Sequence, residues 1–215
     1  MSTSIRFFDS IPHDVAHREV SKRAPDPFAL QICDMCMEKH DGDHGVGLGS
    51  ELSQLMALSV LDGIDHWAKE KAHAEAYSRY MDDSVAIFPT KEQAQLYLQG
   101  VLLELEKRGL TPSAKKTLVF PLKQGINYLG WRYILKANGR IICKPRSGKI
   151  AKTKRKLVRM ADAGIPLSTI RQSLDSSIAS LKWGDANKEI AELNRFYEEE
   201  IKNGLHEKDE RRKGD

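Results

Sequence analysis

The tetrapeptide Tyr80-Met81-Asp82-Asp83 constrains this chain most, because it places two adjacent carboxylates between two short strand-like segments. Residues 76–80 are compatible with an extended segment, and residues 85–88 form an apolar, β-favouring run that ends at Pro89. Side chains alternate along a strand, so neighbouring carboxylates share one site only near a turn. The sequence therefore predicts a β-hairpin with both Asp residues at its tip.

Two carboxylates at such a tip suit Mg²⁺, a hard cation that takes oxygen ligands. A two-metal phosphoryl-transfer centre needs several carboxylates to hold ions about 3.5–4 Å apart. For an isolated Asp-Asp dipeptide, a solvated turn is the simpler interpretation, because turns favour Asp. Asp82 and Asp83 are therefore candidate metal ligands whose assignment depends on the rest of the chain.

The remaining pattern predicts an α+β fold in which helices cover one face of an antiparallel sheet. Helices are predicted from about residue 14, over 28–38, up to about 71, from 90 to 109, over 166–181 and over 188–201. Short strands are predicted at 5–11, 118–120, 128–135 and 140–143, with a turn at Asn138-Gly139.

The cysteine content and the charge of the chain indicate its cellular compartment and its class of partner. Three cysteines, an odd number, without a secretory leader pattern favour a reducing cytosol over a disulfide framework, so we expect a cytoplasmic protein. No stretch is apolar and long enough to span a bilayer, so no membrane partner is expected. The net charge of +4 only weakly favours a polyanionic partner.

Cys33, Cys36, His40 and His44 are residue types that bind zinc. Only three residues separate the two pairs, which is too few to fold a strand and a helix around an ion. Packing of both cysteines on a helix is the preferred interpretation, and a zinc knuckle remains the alternative.

A glycine-rich segment, residues 44–54, precedes the long apolar helix. Glycines let the backbone approach a ligand closely, and the free N–H groups at a helix start favour an anion. Taken alone, the segment is more typical of ordinary turn chemistry, because its spacing fits neither the P-loop nor the dinucleotide fingerprint.

Residues 140–159 contain nine Lys or Arg and no acidic residue. Solvated faces usually mix the two signs, whereas a cluster of one sign that neutralises phosphates gives strong, salt-dependent binding. The run therefore predicts contact with a nucleic-acid backbone through Lys149, Lys152, Lys154, Arg155, Lys156 and Arg159.

Four sequence blocks together resemble bacterial and phage-borne reverse transcriptases of the retron, group II intron and diversity-generating types. They are Gly47-Leu48-Gly49-Ser50 with Ser53-Gln54, then Tyr80-Met81-Asp82-Asp83, Lys115-Lys116-Thr117, and Tyr128-Leu129-Gly130-Trp131. The resemblance extends from about residue 5 to residue 201. It implies a polymerase palm over residues 1–143 and a small basic helical thumb over 144–203. The charged composition of residues 204–215 predicts a disordered tail.

The resemblance also implies the role of each block in RNA-directed DNA synthesis. Asp82 and Asp83 would hold two Mg²⁺ ions, or Mn²⁺ in their place, with Asp82 the firmer direct ligand. Lys116 would lie near the departing pyrophosphate, and the partners would be an RNA template, a DNA primer and deoxynucleoside triphosphates. Residues at the template and nucleotide would be Phe8, which excludes a 2′-hydroxyl, and Gly47, Gly49, Ser50, Ser53, Gln54, Tyr80 and Met81. The primer grip would be Tyr128, Leu129, Gly130 and Trp131.

The first palm block departs from the family pattern. An Asp is expected five positions before Phe8, where this chain has Thr3, and the fingers region that precedes the block in the family is absent. Asp9 follows Phe8 directly, so on an alternating strand it would leave the metal-facing side. Two interpretations follow: a polymerase that is truncated or completed by a separate fingers polypeptide, or a catalytically silent nucleic-acid-binding module that keeps palm and thumb.

Overall fold

A computed structural model describes residues 7–38, 42–47 and 49–204. Within these residues, seven α-helices and two small antiparallel sheets give an α+β fold, as the sequence predicts. The chain divides into two compact units, one ending at Phe120 and the other beginning at Pro121. We call them the first and the second unit and describe each by itself.

The first unit contains four helices, and side chains cap three of them. The Asp26, Ser50 and Thr90 side chains accept hydrogen bonds from backbone N–H groups three residues ahead, which satisfies donors that a helix start leaves without partners. The helix that Ser50 caps, α3 (Glu51–His66), continues as a π-helical turn, Trp67–Lys71. The four helices are α1 (His13–Ser21), α2 (Pro27–Met37), α3 (Glu51–His66) and α4 (Lys91–Glu106).

The predicted hairpin is confirmed. Strands β1 (Ala76–Tyr80) and β2 (Asp83–Ile87) pair antiparallel, with Tyr80 directly opposite Asp83.

The apolar core of the first unit lies among its helices and includes the fully buried Ile11, Met56, Val60 and Leu105. Cys33 packs within this same core, as the packing interpretation of the cysteines predicts. His40 lies outside the described residues.

The second unit begins with a three-stranded sheet and ends with helices. Strands β3 (Ile126–Tyr128), β4 (Trp131–Leu135) and β5 (Ile141–Pro145) pair antiparallel in chain order. A second apolar core includes Leu157, Ile170, Leu174, Leu181 and Leu193. The helices are α5 (Lys149–Asp162), α6 (Leu167–Leu181) and α7 (Asn187–Phe196), which continues as a π-helical turn, Tyr197–Lys202.

Two predicted strands are wrong in the part of the chain that the structure describes. Phe8–Ser10 is a 3₁₀ turn, because the Ser10 N–H and hydroxyl both donate to the Phe7 carbonyl at 3.0 and 2.8 Å. Asp9 is exposed on this turn, so strand alternation does not decide its direction. Residues 118–120 have strand-forming side chains but belong to no strand. A strand also needs a neighbouring strand to pair with, because β propensity depends on packing against cross-strand neighbours.

Helix α5 begins within the basic run, for which the residue pattern predicts no helix of its own. Its apolar side chains Ile150, Leu157 and Ala161 recur at helical spacing and pack into the second core. Charge dominates the composition of this segment and hides that periodicity.

The palm and thumb ranges, 1–143 and 144–203, remain predictions, and so does the disordered tail, most of which lies outside the described residues. None of the helices in the described ranges is long and apolar enough to cross a membrane.

Candidate active site and nucleic-acid interface

The turn that carries the two carboxylates has an uncommon backbone. Tyr80 and Asp83 face each other across the ladder, so Met81 and Asp82 alone form the turn. Met81 has a positive φ of 51°. A left-handed conformation suits the twist of a two-residue hairpin but costs a residue with a side chain about 1–2 kcal/mol. Such a conformation persists only where surrounding contacts hold it.

Arg79 supplies those contacts. Its Nη1 donates to the Met81 carbonyl at 3.0 Å, while its Nε donates to Asp65 Oδ1 at 2.7 Å and its Nη2 to Asp65 Oδ2. Tyr77 Oη also donates to Asp65 Oδ1, at 2.7 Å. The Arg79 and Asp65 side chains are only 10% and 20% exposed. The turn is thereby tied to the last part of helix α3.

The surroundings of Asp65 and Tyr77 determine the protonation state of each side chain. Burial alone would raise the pKa of Asp65, but hydrogen bonds from Arg79 and Tyr77 outweigh it, so the pKa lies below its usual value. Burial and the adjacent Asp65 carboxylate raise the pKa of Tyr77. Asp65 is therefore an anion, Arg79 a cation and Tyr77 a neutral donor at physiological pH.

Asp82 and Asp83 are both half-buried, one in the turn and one at the first position of β2. Their carboxylate oxygens are the donor type that Mg²⁺ takes, so the residues present fit that ion chemically. Among the described residues, no group of three or more His, Cys, Asp or Glu is arranged to hold a metal ion. A metal-binding role for Asp82 and Asp83 remains a prediction.

The structure brings Phe8 and the glycine-rich segment together. The Val46 N–H donates to the Phe8 carbonyl at 3.1 Å, and the Gly45 N–H donates to Ile11 at 2.8 Å. Gly47 and the nearby Gly49 both have positive φ, 74° and 95°, which explains why glycine occupies these positions. Phe8 is half-buried against the first core.

The serines that follow the glycines have structural roles of their own. Ser50 is the N-cap of α3, and its hydroxyl accepts from the Ser53 N–H at 3.3 Å. Ser53 is buried, while Gln54 is exposed. Contact of these three residues with template or nucleotide remains a prediction.

The predicted primer grip is a second two-residue hairpin turn, between β3 and β4. Leu129 and Gly130 have positive φ values of 48° and 81°, as a type I′ turn requires, and Tyr128 pairs with Trp131. Trp131 packs against the second core, with the Lys149 ammonium 4.9 Å from its ring centre. Contact of this turn with a primer remains a prediction.

The basic residues of α5 separate onto two faces. Lys154 is held by Glu192 at 2.6 Å and lies over the Phe196 ring, so it faces the other helices of the second unit. Four exposed residues recur at spacings of three and four and share the opposite face, which we call the basic stripe: Lys152, Arg155, Lys156 and Arg159.

Lys116 belongs to the first unit. Its side chain is exposed, and its backbone N–H donates to the Ser113 carbonyl at 3.0 Å, which closes a turn.

Sequence reasoning missed Asp65, Tyr77 and Arg79. Tyr77 and Arg79 are two residues apart on β1 and so share a face, which is a detectable signal. Their partner Asp65 lies on another element, and its identity depends on how the hairpin packs against α3.

Comparison with known proteins identifies the family. Residues 5–133, more than half of the chain, match the family described as "Reverse transcriptase (RNA-dependent DNA polymerase)". The chain belongs to this family, whose members are nucleotidyltransferases, and the turn with its two carboxylates lies inside the matched range. A search of curated proteins found no match.

Proposed function

We propose that this chain forms the palm and thumb of an RNA-directed DNA polymerase of the bacterial and phage type. Asp82 and Asp83 would hold Mg²⁺ for nucleotidyl transfer to a primer 3′-hydroxyl. The observation that carries the proposal is the hairpin turn with these two carboxylates, fixed by Arg79 and lying within the family-matched residues. Bound Mg²⁺ would activate the hydroxyl and stabilise charge on the transferring phosphate.

The other residues in the proposal bind and orient. The left-handed Gly45, Gly47 and Gly49 would let the backbone at these positions approach the template and the incoming deoxynucleoside triphosphate. Phe8 would exclude a 2′-hydroxyl, and Lys116 would stabilise the pyrophosphate as it leaves. The Tyr128–Trp131 turn would hold the primer end, and the basic stripe would contact backbone phosphates.

A second candidate function is a catalytically silent nucleic-acid-binding module. The observation that favours it is Thr3, which stands where the family pattern has the third metal carboxylate. The first proposal requires that carboxylate to come from elsewhere, and a separate fingers polypeptide is one source.

Primer extension on an RNA template with Mg²⁺ separates the two functions. We compare the chain with Asp82→Asn, with Thr3→Asp, and with Asp175→Asn as a matched control on an exposed face of α6. For the polymerase we expect Asp82→Asn to lower extension by about a thousandfold, Thr3→Asp to raise it, and Asp175→Asn to leave it unchanged.

If neither the chain nor Thr3→Asp extends a primer, alone or with a fingers polypeptide added, while both still bind a primer–template duplex, the silent module is the correct assignment. Extension that persists in Asp82→Asn would overturn the assignment of the metal ligands.

Binding of the backbone is tested through its salt dependence. Replacing all four residues of the basic stripe with Ala should reduce the slope of log affinity against log salt by about 3 to 4, because each lost phosphate contact removes about 0.9. Lys154→Ala is the matched control, since this lysine is paired with Glu192. A reduction of about 0.9 in the control, with no change in the fourfold variant, would place the contact on another face of the helix.

A further inference from the structure

We propose that Asp65, Tyr77 and Arg79 form a positioning network that orients the Asp82 and Asp83 carboxylates and thereby sets the affinity of the turn for divalent cations. The inference rests on the proposed function, because it takes this turn to be the metal site. None of the three residues is itself a proposed metal ligand.

Arg79 acts on Asp82 through the peptide group between Met81 and Asp82. The Met81 carbonyl belongs to the planar unit that ends at the Asp82 N–H and Cα. Because Arg79 Nη1 holds that carbonyl at 3.0 Å, it restricts rotation of the unit about both neighbouring bonds. The direction in which the Asp82 side chain leaves the turn depends on that rotation. Arg79 therefore acts on the carboxylate through the backbone.

Asp65 also compensates the positive charge of Arg79. A guanidinium three residues before Asp82 and four before Asp83 would be a competitor for their carboxylates, because Arg binds carboxylate in a bidentate manner. Asp65 occupies that bidentate position, with contacts to Arg79 Nε and Nη2. It also neutralises a cation that would otherwise repel Mg²⁺ from the turn. Asp65 thus binds Arg79 Nε and Nη2 while Nη1 holds the Met81 carbonyl.

The hydrogen bond from Tyr77 to Asp65 completes the network and fixes its geometry. Burying an ion pair contributes little net stability, because desolvation offsets the attraction. Tyr77 adds a hydrogen bond to Asp65 Oδ1, which satisfies the carboxylate and fixes its orientation. A satisfied polar network of this kind specifies one geometry, which is what two metal ligands in a two-residue turn require.

The experiment uses the full chain with Arg79→Lys, Asp65→Asn and Tyr77→Phe. The matched control is Arg108→Lys, because Arg108 and Glu104 form a pair of the same burial in the first unit, 10% and 22% exposed. Arg108 donates to the Val60 carbonyl and has no hydrogen bond to the turn. Mn²⁺ affinity is measured by electron paramagnetic resonance with Asp82→Asn as the reference, and amide exchange is measured at residues 80–84.

We expect the Mn²⁺ dissociation constant to rise about tenfold in Arg79→Lys, more in Asp65→Asn, and about threefold in Tyr77→Phe, with faster amide exchange at Asp82 and Asp83. Arg108→Lys should change neither quantity. In primer extension, Arg79→Lys should lower kcat and raise the Mg²⁺ requirement while KM for the nucleotide stays close to that of the parent chain.

Equal effects of Arg79→Lys and Arg108→Lys on Mn²⁺ binding and on exchange would overturn the positioning role. If the parent chain binds Mn²⁺ no better than Asp82→Asn, the proposed function fails, and exchange at residues 80–84 still decides whether Arg79 orders the turn. Tyr77→Phe keeps the test decisive if Asp65→Asn does not fold, because it removes one hydrogen bond and retains the ring.

Discussion

Two of the hairpin turns in the described residues, Tyr80–Asp83 in the first unit and Tyr128–Trp131 in the second, share a backbone feature and differ in the contacts that stabilise it. Each is a two-residue turn that begins with a large side chain in the left-handed region, Met81 at φ 51° and Leu129 at φ 48°. The sequence around both is strand-like. The contacts that stabilise them come from different physical sources.

In the first hairpin, charge and hydrogen bonds stabilise the turn, through Arg79 on the Met81 carbonyl and Asp65 on the guanidinium. In the second, the Arg146 N–H donates to the Gly130 carbonyl at 3.0 Å, and Trp131 packs closely over Gly184. A polar network fixes an orientation, whereas close packing fixes a position. The first turn should therefore be sensitive to charge, and the second to volume.

The largest expected effect is in the first hairpin. Arg79→Ala leaves the Asp65 carboxylate buried without its cation and should lower the free energy of unfolding by about 3 kcal/mol. Urea unfolding measures the loss, and amide exchange followed by peptide should place it in the first unit. Arg171→Ala in the second unit, which breaks an exposed pair with Asp175, should cost less than about 1 kcal/mol. Similar losses in the two variants would remove the contrast.

The next effect tests volume in the second hairpin. A Cβ at Gly184 would lie 2.5 Å from the Trp131 ring and 2.8 Å from the Cys143 carbonyl. Gly184→Ala should therefore lower the free energy of unfolding by about 2 kcal/mol through overpacking. Gly204→Ala is the matched control, because a Cβ there meets nothing within 4 Å. A neutral Gly184→Ala would show that Trp131 does not anchor the turn.

A smaller effect depends on pH and involves Asp65. Its pKa is lowered in the folded state, so its contribution to stability is present above the unfolded pKa, about 4, and is lost as pH falls through the lower folded pKa. Melting temperatures measured from pH 6 to pH 3 should fall more steeply for the parent chain than for Asp65→Asn. Parallel curves would mean that the hydrogen bonds of Asp65 do not favour its charged form.

The smallest effect tests backbone strain. Asn tolerates the left-handed region better than Leu, and Leu129 is partly exposed, so Leu129→Asn should raise the free energy of unfolding by about 0.5 kcal/mol. Met81→Asn relieves the same strain but also removes a half-buried side chain, so its gain should be smaller. Thermal melting measures both, and a larger gain from Met81→Asn would indicate that the first turn carries the greater strain.

The sequence predicted the features that neighbouring residues decide. The hairpin around Asp82 and Asp83 follows from strand-forming residues on both sides of a turn. Helices α6 and α7 follow from apolar periodicity. The four blocks in order also predicted the reverse transcriptase family, which the match over residues 5–133 confirms.

The errors and omissions occur where the partner is distant in the chain. Residues 118–120 have the composition of a strand but no partner strand. The 3₁₀ turn at Phe8 is a local exception, because hydrogen bonds from Ser10 to the Phe7 carbonyl stabilise it. Residue types alone could not separate Lys154, which binds Glu192, from the basic stripe, because the separation depends on which face of α5 packs against α7.

The sequence by itself determined that two carboxylates stand at the tip of a hairpin, because strand propensity and turn chemistry act over a few residues. Only the tertiary structure decided what holds that tip. Asp65 and Arg79 are separated by a helix end and a turn, and they pair because the hairpin packs against α3. An ion pair between distant residues depends on the path of the chain, which no local pattern specifies.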